Sequence, residues 1–501
     1  MIQEKLIAKR AKLSPNKRGL LERWKRGNGQ VTARIEHTAM TKQDSGDNEW
    51  PVSLIQEARL LHREQLRRHN VFIRAENIGF AFRITGRLNL IALERGFNEV
   101  LRRHHVLRAS FKMVYGRHVQ TLAPARYSRL PLLDLRSLPL HQREGEALKL
   151  AMQVVERPFD VTRGPLVRMT VIELSDEEHV GVAAFEHLAF DGHSMGVFNT
   201  EMASLYRDFS EERTSSLPEL ITQYTEYASW QRKRLQDQVI SDRLTYWEKH
   251  FDGQNVFPEL TLNIARPVSR IRSSNGARQA LSLPPALFEA LQQMSRKRGV
   301  TMFVSLLSTL KLLLRHYTSQ DRIGVISPFL NREHPHSEKM IGWFANCLNL
   351  STDLSGDPSF HELLERVRQV TLDAFQHQDL PLYHLLKILQ PAEHERIALM
   401  PSGTFGANYV YFEMIDAKSG TIQLPGLKLT PVRIPHDPAV TSLSISAIEH
   451  REGLSIDILY EDEKYDEQAM QLFLANFKSL LGSVVNDPQR RITDLFTDIS
   501  T

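Results

Sequence analysis

The sequence predicts an α+β protein of two lobes, and three observations carry that prediction. With 501 residues the chain exceeds what one hydrophobic core usually serves, so two domains of about 200 residues each are expected. Helical and strand patterns are mixed without the strict βαβ alternation of a parallel doubly wound sheet. The second half repeats the grammar of the first, although no residue-level repeat joins them. Apolar residues make up 42% and charged residues 24%, the balance of an ordinary globular chain rather than a disordered one.

The elements follow in order. In "WPVSLIQEARLLHREQL", Ile55, Ala58, Leu61 and Leu66 can share one helix face. "IGFAFRITG" alternates like a strand, with Phe80, Phe82 and Ile84 on one side. Helical spacing returns with Leu93, Phe97, Val100 and Leu101, behind an Asn89 cap. Residues 164–192 then read as two apolar strands around the turn "SDEEH". Further on, "PPALFEALQQMSRKRG" and "TMFVSLLSTLKLLLRHY" read as helices, "DRIGVISPF" as a strand and "SFHELLERVRQVTLDAFQHQ" as a helix. Paired strands are expected near 406–413 and 441–460. A last helix starts at an Asp466 cap and buries Met470, Phe473, Phe477, Leu481 and Val484.

Composition excludes several classes. The N-terminal stretch "MIQEKLIAKRAKLSPNKRG" is broken by charge every few residues and lacks the apolar centre of a signal peptide. No uncharged apolar run reaches the roughly 18 residues of a transmembrane helix, so no membrane span is expected. Cys347 is the single cysteine, which rules out thiolate clusters and CxxC chemistry and fits a cytoplasmic location. It reads as a small core residue. The chain has no HExxH helix or GxxxxGK[ST] loop, and no metal site is expected.

Charge is uneven within the net +4. Between residues 1 and 27, Lys5, Lys9, Arg10, Lys12, Lys17, Arg18, Arg23, Lys25 and Arg26 face only Glu4 and Glu22. The segment lacks the aromatic interleaving and motifs of a nucleic-acid reader, so no nucleic-acid partner is expected. It reads either as a solvated helical extension or as a surface for an acidic protein. "TKQDSGDNE" at 41–49 is a polar linker.

"EHLAFDG", Glu186 to Gly192, places a histidine between two acids where an apolar strand ends. An imidazole titrates near neutrality, so His187 can take a proton from an amine or alcohol without a large shift. Gly192 permits a tight turn and can offer its N–H to a developing oxyanion. Such a pair suits acyl transfer, although one histidine among 20 is more often structural. Asp191 reads as a buried ion-pair partner that shapes the loop.

Further segments give that heptapeptide company. "EHLAFDG" resembles the HHxxxDG signature of the condensation domains of nonribosomal peptide synthetases and hybrid polyketide pathways, within the chloramphenicol acetyltransferase-like superfamily. "SLIQEARLL" from Ser53 resembles SxAQxRLW, and "RHHVLRASF" from Arg103 resembles RHExLRTxF. "YTEYASW" from Tyr224 is similar to YxDYAxW, "IGWFANCLNL" from Ile341 to IGxFVNTLPLR, and "HQDLPLYHLL" from His377 to HQDxPFExL. These matches lie in the family's order between about residues 50 and 495.

The resemblance implies two acetyltransferase-like lobes forming a V-shaped pseudo-dimer with a central tunnel. It divides the chain into a basic extension at 1–45, an N-terminal lobe at 46–225 and a C-terminal lobe at 226–501. His187 corresponds to the catalytic histidine. Asp191 corresponds to the structural acid, with Arg332 in "PFLNRE" as its expected partner. His193, Ser194 and Asn408 fall at expected tunnel positions, where Asn408 reads equally as a strand-end residue satisfying its own backbone. Glu186 replaces the signature's first histidine, His193 a frequent Trp and Ser351 a frequent Arg. A carboxylate beside His187 would favour imidazolium; on the opposite side of the strand it would matter little.

The implied activity is transfer of an acyl group from the phosphopantetheine thioester of a carrier protein, with no cofactor bound by the enzyme itself. The acceptor is a free amine or alcohol, or a substrate on a second carrier protein. With no adenylation domain or carrier motif alongside, the chain reads as free-standing, acting in trans and releasing a finished chain as an amide or ester. The alternatives are a non-catalytic platform that binds carriers and a coenzyme A-dependent acyltransferase. A cyclisation domain would carry DxxxxD instead; epimerisation domains share the signature.

Overall fold

Two six-stranded sheets frame the protein, each built around strands whose apolar residues the sequence spaces for burial. The structure, a computed structural model, describes residues 48–70, 77–235, 237–266, 276–398, 409–417, 422–434, 441–451 and 453–499. The basic segment at 1–45 and Asn408 lie outside these residues.

The first sheet runs, edge to edge, Ile422–Leu424, Leu427–Val432, Asn77–Thr85, Glu178–Glu186, Val167–Ser175 and Leu132–Asp134. Its central strand Glu178–Glu186 is buried along almost its whole length because both faces are covered. Val180, Val182 and Ala184 pack with Ala147, Ala151 and Val155 of the helix Leu140–Glu156. Ala183 and Phe185 face the other way, toward the helices Leu90–Arg103 and Gly192–Ser210. Asn89 caps the first of these as expected, its Oδ1 accepting from Ala92 N at 3.0 Å. Strand Leu427–Val432 lies far along the chain, in the expected C-terminal lobe, yet pairs with Asn77–Thr85.

The second sheet runs Asn346–Asp353, Arg322–Phe329, Val410–Asp416, Leu443–His450, Gly453–Glu461 and Gly276–Ser282. Val410–Asp416 is parallel to both neighbours. Val410, Phe412, Ile445, Ala447, Ile456 and Ile458 form a core with the helices Met302–Thr318, Phe360–Gln376 and Glu467–Asn486. The last of these starts at Asp466, whose Oδ1 accepts from Ala469 N at 2.7 Å, and its five expected core residues are buried. The alternate residues Tyr411, Glu413, Ser444 and Ser446 occupy the opposite, half-buried face.

The helix Leu54–Arg68 departs from its expected face. Ile55 and Leu61 are only half-buried, while Gln56, Arg59, His62 and Arg63 are buried with Leu54, Ala58, Leu60 and Leu66. Contacts from both halves of the chain explain this: Leu54 N donates to Gln231 Oε1 at 2.9 Å and Tyr383 OH to Gln65 Oε1 at 2.9 Å. Enclosed on several sides, the helix buries polar residues that find partners there. Cys347 is also not a sealed core residue but half-buried on the second sheet, its thiol pushed up to about 12 by burial and by Glu413. Among the described residues no helix is long and apolar enough to cross a membrane.

Candidate active site

The strand Glu178–Glu186 ends in a short turn, His187–Ala189, and Asp191 then caps the helix Gly192–Ser210. Both acids of the heptapeptide work as caps. Glu186 Oε1 accepts from Leu188 N at 3.3 Å, and Asp191 Oδ1 from Ser194 N at 2.9 Å. The loop is thus fixed at both ends, with His187 between.

His187 is half-buried against Trp343, their ring centroids 4.2 Å apart and inclined at 38°. Its Nδ1 is enclosed and makes no hydrogen bond to another residue, and its Nε2 has no partner among the described residues. Burial lowers its pKa from the ordinary imidazole value, and Arg59 adds to that; Glu186 and Asp191 pull the other way without prevailing. Glu186 is occupied elsewhere: it accepts from Arg63 Nη2 at 2.8 Å, with both side chains buried. The imidazole is accordingly held neutral. Glu186 does pull His187 toward imidazolium, as a nearby carboxylate should, but burial outweighs it.

Asp191 is saturated. Beyond Ser194 N, its Oδ1 accepts from Arg332 Nη2 at 3.0 Å and lies 2.7 Å from Ser194 Oγ. Its Oδ2 accepts from the backbone of Phe344 at 3.0 Å and Ala345 at 3.3 Å. Arg332 also donates to the carbonyls of Met340, at 2.8 Å, and Ser337. These contacts stitch the loop 187–194 to the segment 340–345 from the other half of the chain.

Ser194 belongs to this seam rather than to a substrate passage, which corrects its assignment. It is fully buried, and its Oγ meets Gly342 N at 3.1 Å, Gly342 O at 2.9 Å and Arg332 Nη2 at 3.1 Å. His193 is half-buried and its Nε2 lies 3.0 Å from the Glu338 carbonyl, so it too bridges toward the second half. Gly192 is helical and not left-handed, and a Cβ there would meet nothing within 4 Å. Turn geometry is therefore not what calls for glycine. It leaves open space at a helix N-terminus, where the N–H groups point outward.

Other residues of the seam had no role assigned in advance. Gln56 Nε2 donates to Leu188 O at 2.8 Å, holding the turn His187–Ala189 in place. Tyr224 OH donates to Trp343 O and meets Ser53 Oγ at 2.9 Å. His104 Nδ1 accepts from Ile341 N at 3.2 Å, which leaves the proton on Nε2, facing Glu201 Oε2 at 3.0 Å. Gly342 lies so close to Tyr224 that a Cβ would come within 2.1 Å of the ring. The signal was present in the quoted segments, which contain all of these residues except Glu201, but spacing alone could not say what each would touch. Among the described residues no group of three or more His, Cys, Asp or Glu is placed to hold a metal.

Comparison with known proteins gives a consistent set of relatives. A family profile described as "Condensation domain" matches residues 47–498. The chain is 35% identical over 422 residues to a linear gramicidin synthase polypeptide of Brevibacillus parabrevis, covering 84% of this chain and 8% of that protein. It thus spans under a tenth of that relative. Among solved structures, the X-domain from teicoplanin biosynthesis superposes with a TM-score of 0.76 at 26% identity, over 92% of this chain and 99% of that one. The same X-domain in complex with OxyB gives 0.73 at 25%, over 90% and 96%. The first condensation domain of the calcium-dependent antibiotic synthetase shares the fold, with a TM-score of 0.69 at 18% identity over 89% and 98%.

Proposed function

This chain belongs to the condensation-domain family, and on that premise we propose that it transfers an acyl group from a carrier-protein thioester to an amine or alcohol, with His187 as proton acceptor. The observation that carries this reading is the neutral, half-buried imidazole whose Nε2 has no protein partner among the described residues. A base must be unprotonated and within reach of its substrate, and no other described residue consumes either nitrogen in structure.

In the proposed step the nucleophile's lone pair attacks the thioester carbonyl carbon while its proton passes to His187 Nε2. The tetrahedral oxyanion forms near the N-terminus of the helix Gly192–Ser210, where the Gly192 N–H and the helix dipole favour negative charge. Collapse breaks the C–S bond, and the phosphopantetheine thiolate takes the proton back from His187. Nucleophile, base and leaving group then balance without a covalent enzyme intermediate. The hydroxyl of Ser194, the serine of the stretch "GHSMG", is buried and taken up by Asp191, Gly342 and Arg332, and the thiol of Cys347 is suppressed; both agree with such a direct transfer. Action in trans, with release onto a soluble acceptor, is the form of this activity we propose.

A second reading is a binding platform for carriers or a partner enzyme, favoured by the likeness to an X-domain found in complex with OxyB. One experiment separates the two. The protein is given a carrier-bound acyl thioester with free amines, alcohols or aminoacyl carriers, and products are followed by intact-protein and small-molecule mass spectrometry. His187→Ala should lower product formation at least ~100-fold while carrier binding is kept. Equal product from wild type and variant overturns the catalytic reading, and binding of a partner without any product supports the platform.

A further inference from the structure

The second sheet carries a half-buried acid that the proposed chemistry does not use. Glu413 projects from the strand Val410–Asp416 on the face away from the helices. Ser446 Oγ donates to its Oε1 at 2.9 Å and Tyr411 OH to its Oε2 at 3.2 Å. No Lys, Arg or His forms an ion pair with it among the described residues, unlike Glu186 with Arg63 or Asp191 with Arg332. Burial raises its pKa, an effect the two hydroxyl hydrogen bonds only partly oppose. A carboxyl removed from water without a cation is costly, and a binding partner that supplies the charge relieves that cost.

Its position relates it to the active site. Tyr411 pairs with Ile326, so Glu413, two residues on in a parallel strand, comes level with Pro328. Pro328 in turn pairs with Cys347, whose thiol is pushed up in part by Glu413. Cys347 lies four residues beyond Trp343, the residue against His187. Glu413 therefore stands at the end of the sheet from which the chain runs into the seam segment 340–345. Tyr411, Glu413, Ser444, Ser446 and Cys347 are all half-buried, so this face of the sheet keeps some access to solvent.

We propose that Glu413, with Tyr411 and Ser446, is a recognition site for a cationic nitrogen on the acceptor, separate from the nucleophile that attacks the thioester. This rests on the acyl-transfer reading and names its acceptor class: a diamine or an amino alcohol with a protonated amine. Each carboxylate oxygen accepts one hydroxyl hydrogen bond and keeps a lone pair for the ligand's ammonium group. The nucleophilic nitrogen or oxygen must be neutral to react, so a second, charged group gives the site something to hold that the reaction does not consume.

The test uses 1,5-diaminopentane and pentylamine, which differ by one ammonium group, with the full chain. Calorimetric titration of wild type and of His187→Ala should show the diamine binding at least tenfold more tightly than the monoamine, and Glu413→Gln should erase that difference. With a carrier-bound acyl thioester, the wild-type kcat/KM ratio of diamine to monoamine should likewise fall to about one in Glu413→Gln. Unfolding curves establish that the variant is folded, and Ser446→Ala, which keeps the carboxyl, should weaken diamine binding less. Equal binding of the two amines to wild type, or undiminished diamine selectivity in Glu413→Gln, overturns the site. Selective diamine binding with no product from any acceptor leaves the site standing and removes the acyl-transfer reading instead.

Discussion

The seam around Asp191 and the half-buried face around Glu413 treat a carboxyl in opposite ways. Asp191 accepts from backbone amides on two segments, from Ser194 and from Arg332, and has no capacity left. Glu413 has two hydroxyl donors and, among the described residues, no cation. The contrast separates structural from functional polarity: a saturated acid holds segments together, whereas an acid short of charge has a place for something not in the chain. His187 follows the second pattern, with neither ring nitrogen bonded to another described residue. The seam supplies the rigidity, and the groups it leaves unpaired are the ones we propose for the chemistry.

Breaking the saturated side should have the largest effect. Asp191→Ala leaves Arg332 buried without its carboxylate partner and frees three backbone amides, so unfolding by urea should show a loss of about 3–5 kcal/mol. A loss below about 1 kcal/mol would mean the seam is not what holds the loop. Gly342→Ala should cost less, about 1–3 kcal/mol, because the new Cβ must displace the Tyr224 ring, which meets it at 2.1 Å. Its stability, read by the same unfolding measurement, should recover in part when Tyr224→Leu is added, since the clash then disappears along with the bond to Trp343 O.

Histidines that are wholly or partly buried and neutral give the comparison its pH dependence. Burial, the leading cause for each, lowers His62 to about 3 and His250 and His394 to about 4, against 6.5 when unfolded. The unfolded chain therefore takes up protons first as the pH falls. Their contribution is complete above about pH 6.5 and is lost as pH falls toward about 4, by about 1.4 kcal/mol per unit for each histidine. Melting temperatures measured from about pH 7 to about pH 4.5 should fall, and His250→Gln should flatten the decline. A profile that stays level over that range would contradict neutral burial of these rings.

The elements themselves were largely legible, because an amphipathic helix such as Glu467–Asn486 or a strand buried on both faces such as Glu178–Glu186 writes its period into adjacent residues. The helix Leu54–Arg68 defies its own pattern for the opposite reason. Its buried face includes Arg63 and Gln56, whose partners Glu186 and Leu188 lie more than a hundred residues away. Motif position alone puts Ser194 near substrate in the tunnel; its hydroxyl is instead taken up by Gly342 and Arg332.

By itself the sequence determined the α+β class, the order of the motifs and the identity of His187 and Asp191 as the residues to examine, since these depend on local patterns and short spacings. Only the tertiary structure decided that Glu186 turns to Arg63 and leaves His187 neutral, that Leu427–Val432 joins the first sheet, and that Glu413 is half-buried with hydroxyl partners in place of a described cation. The physical reason is common to all three. Charge state and pairing are set by which groups share a low-dielectric space, and those groups come from positions that no local pattern connects.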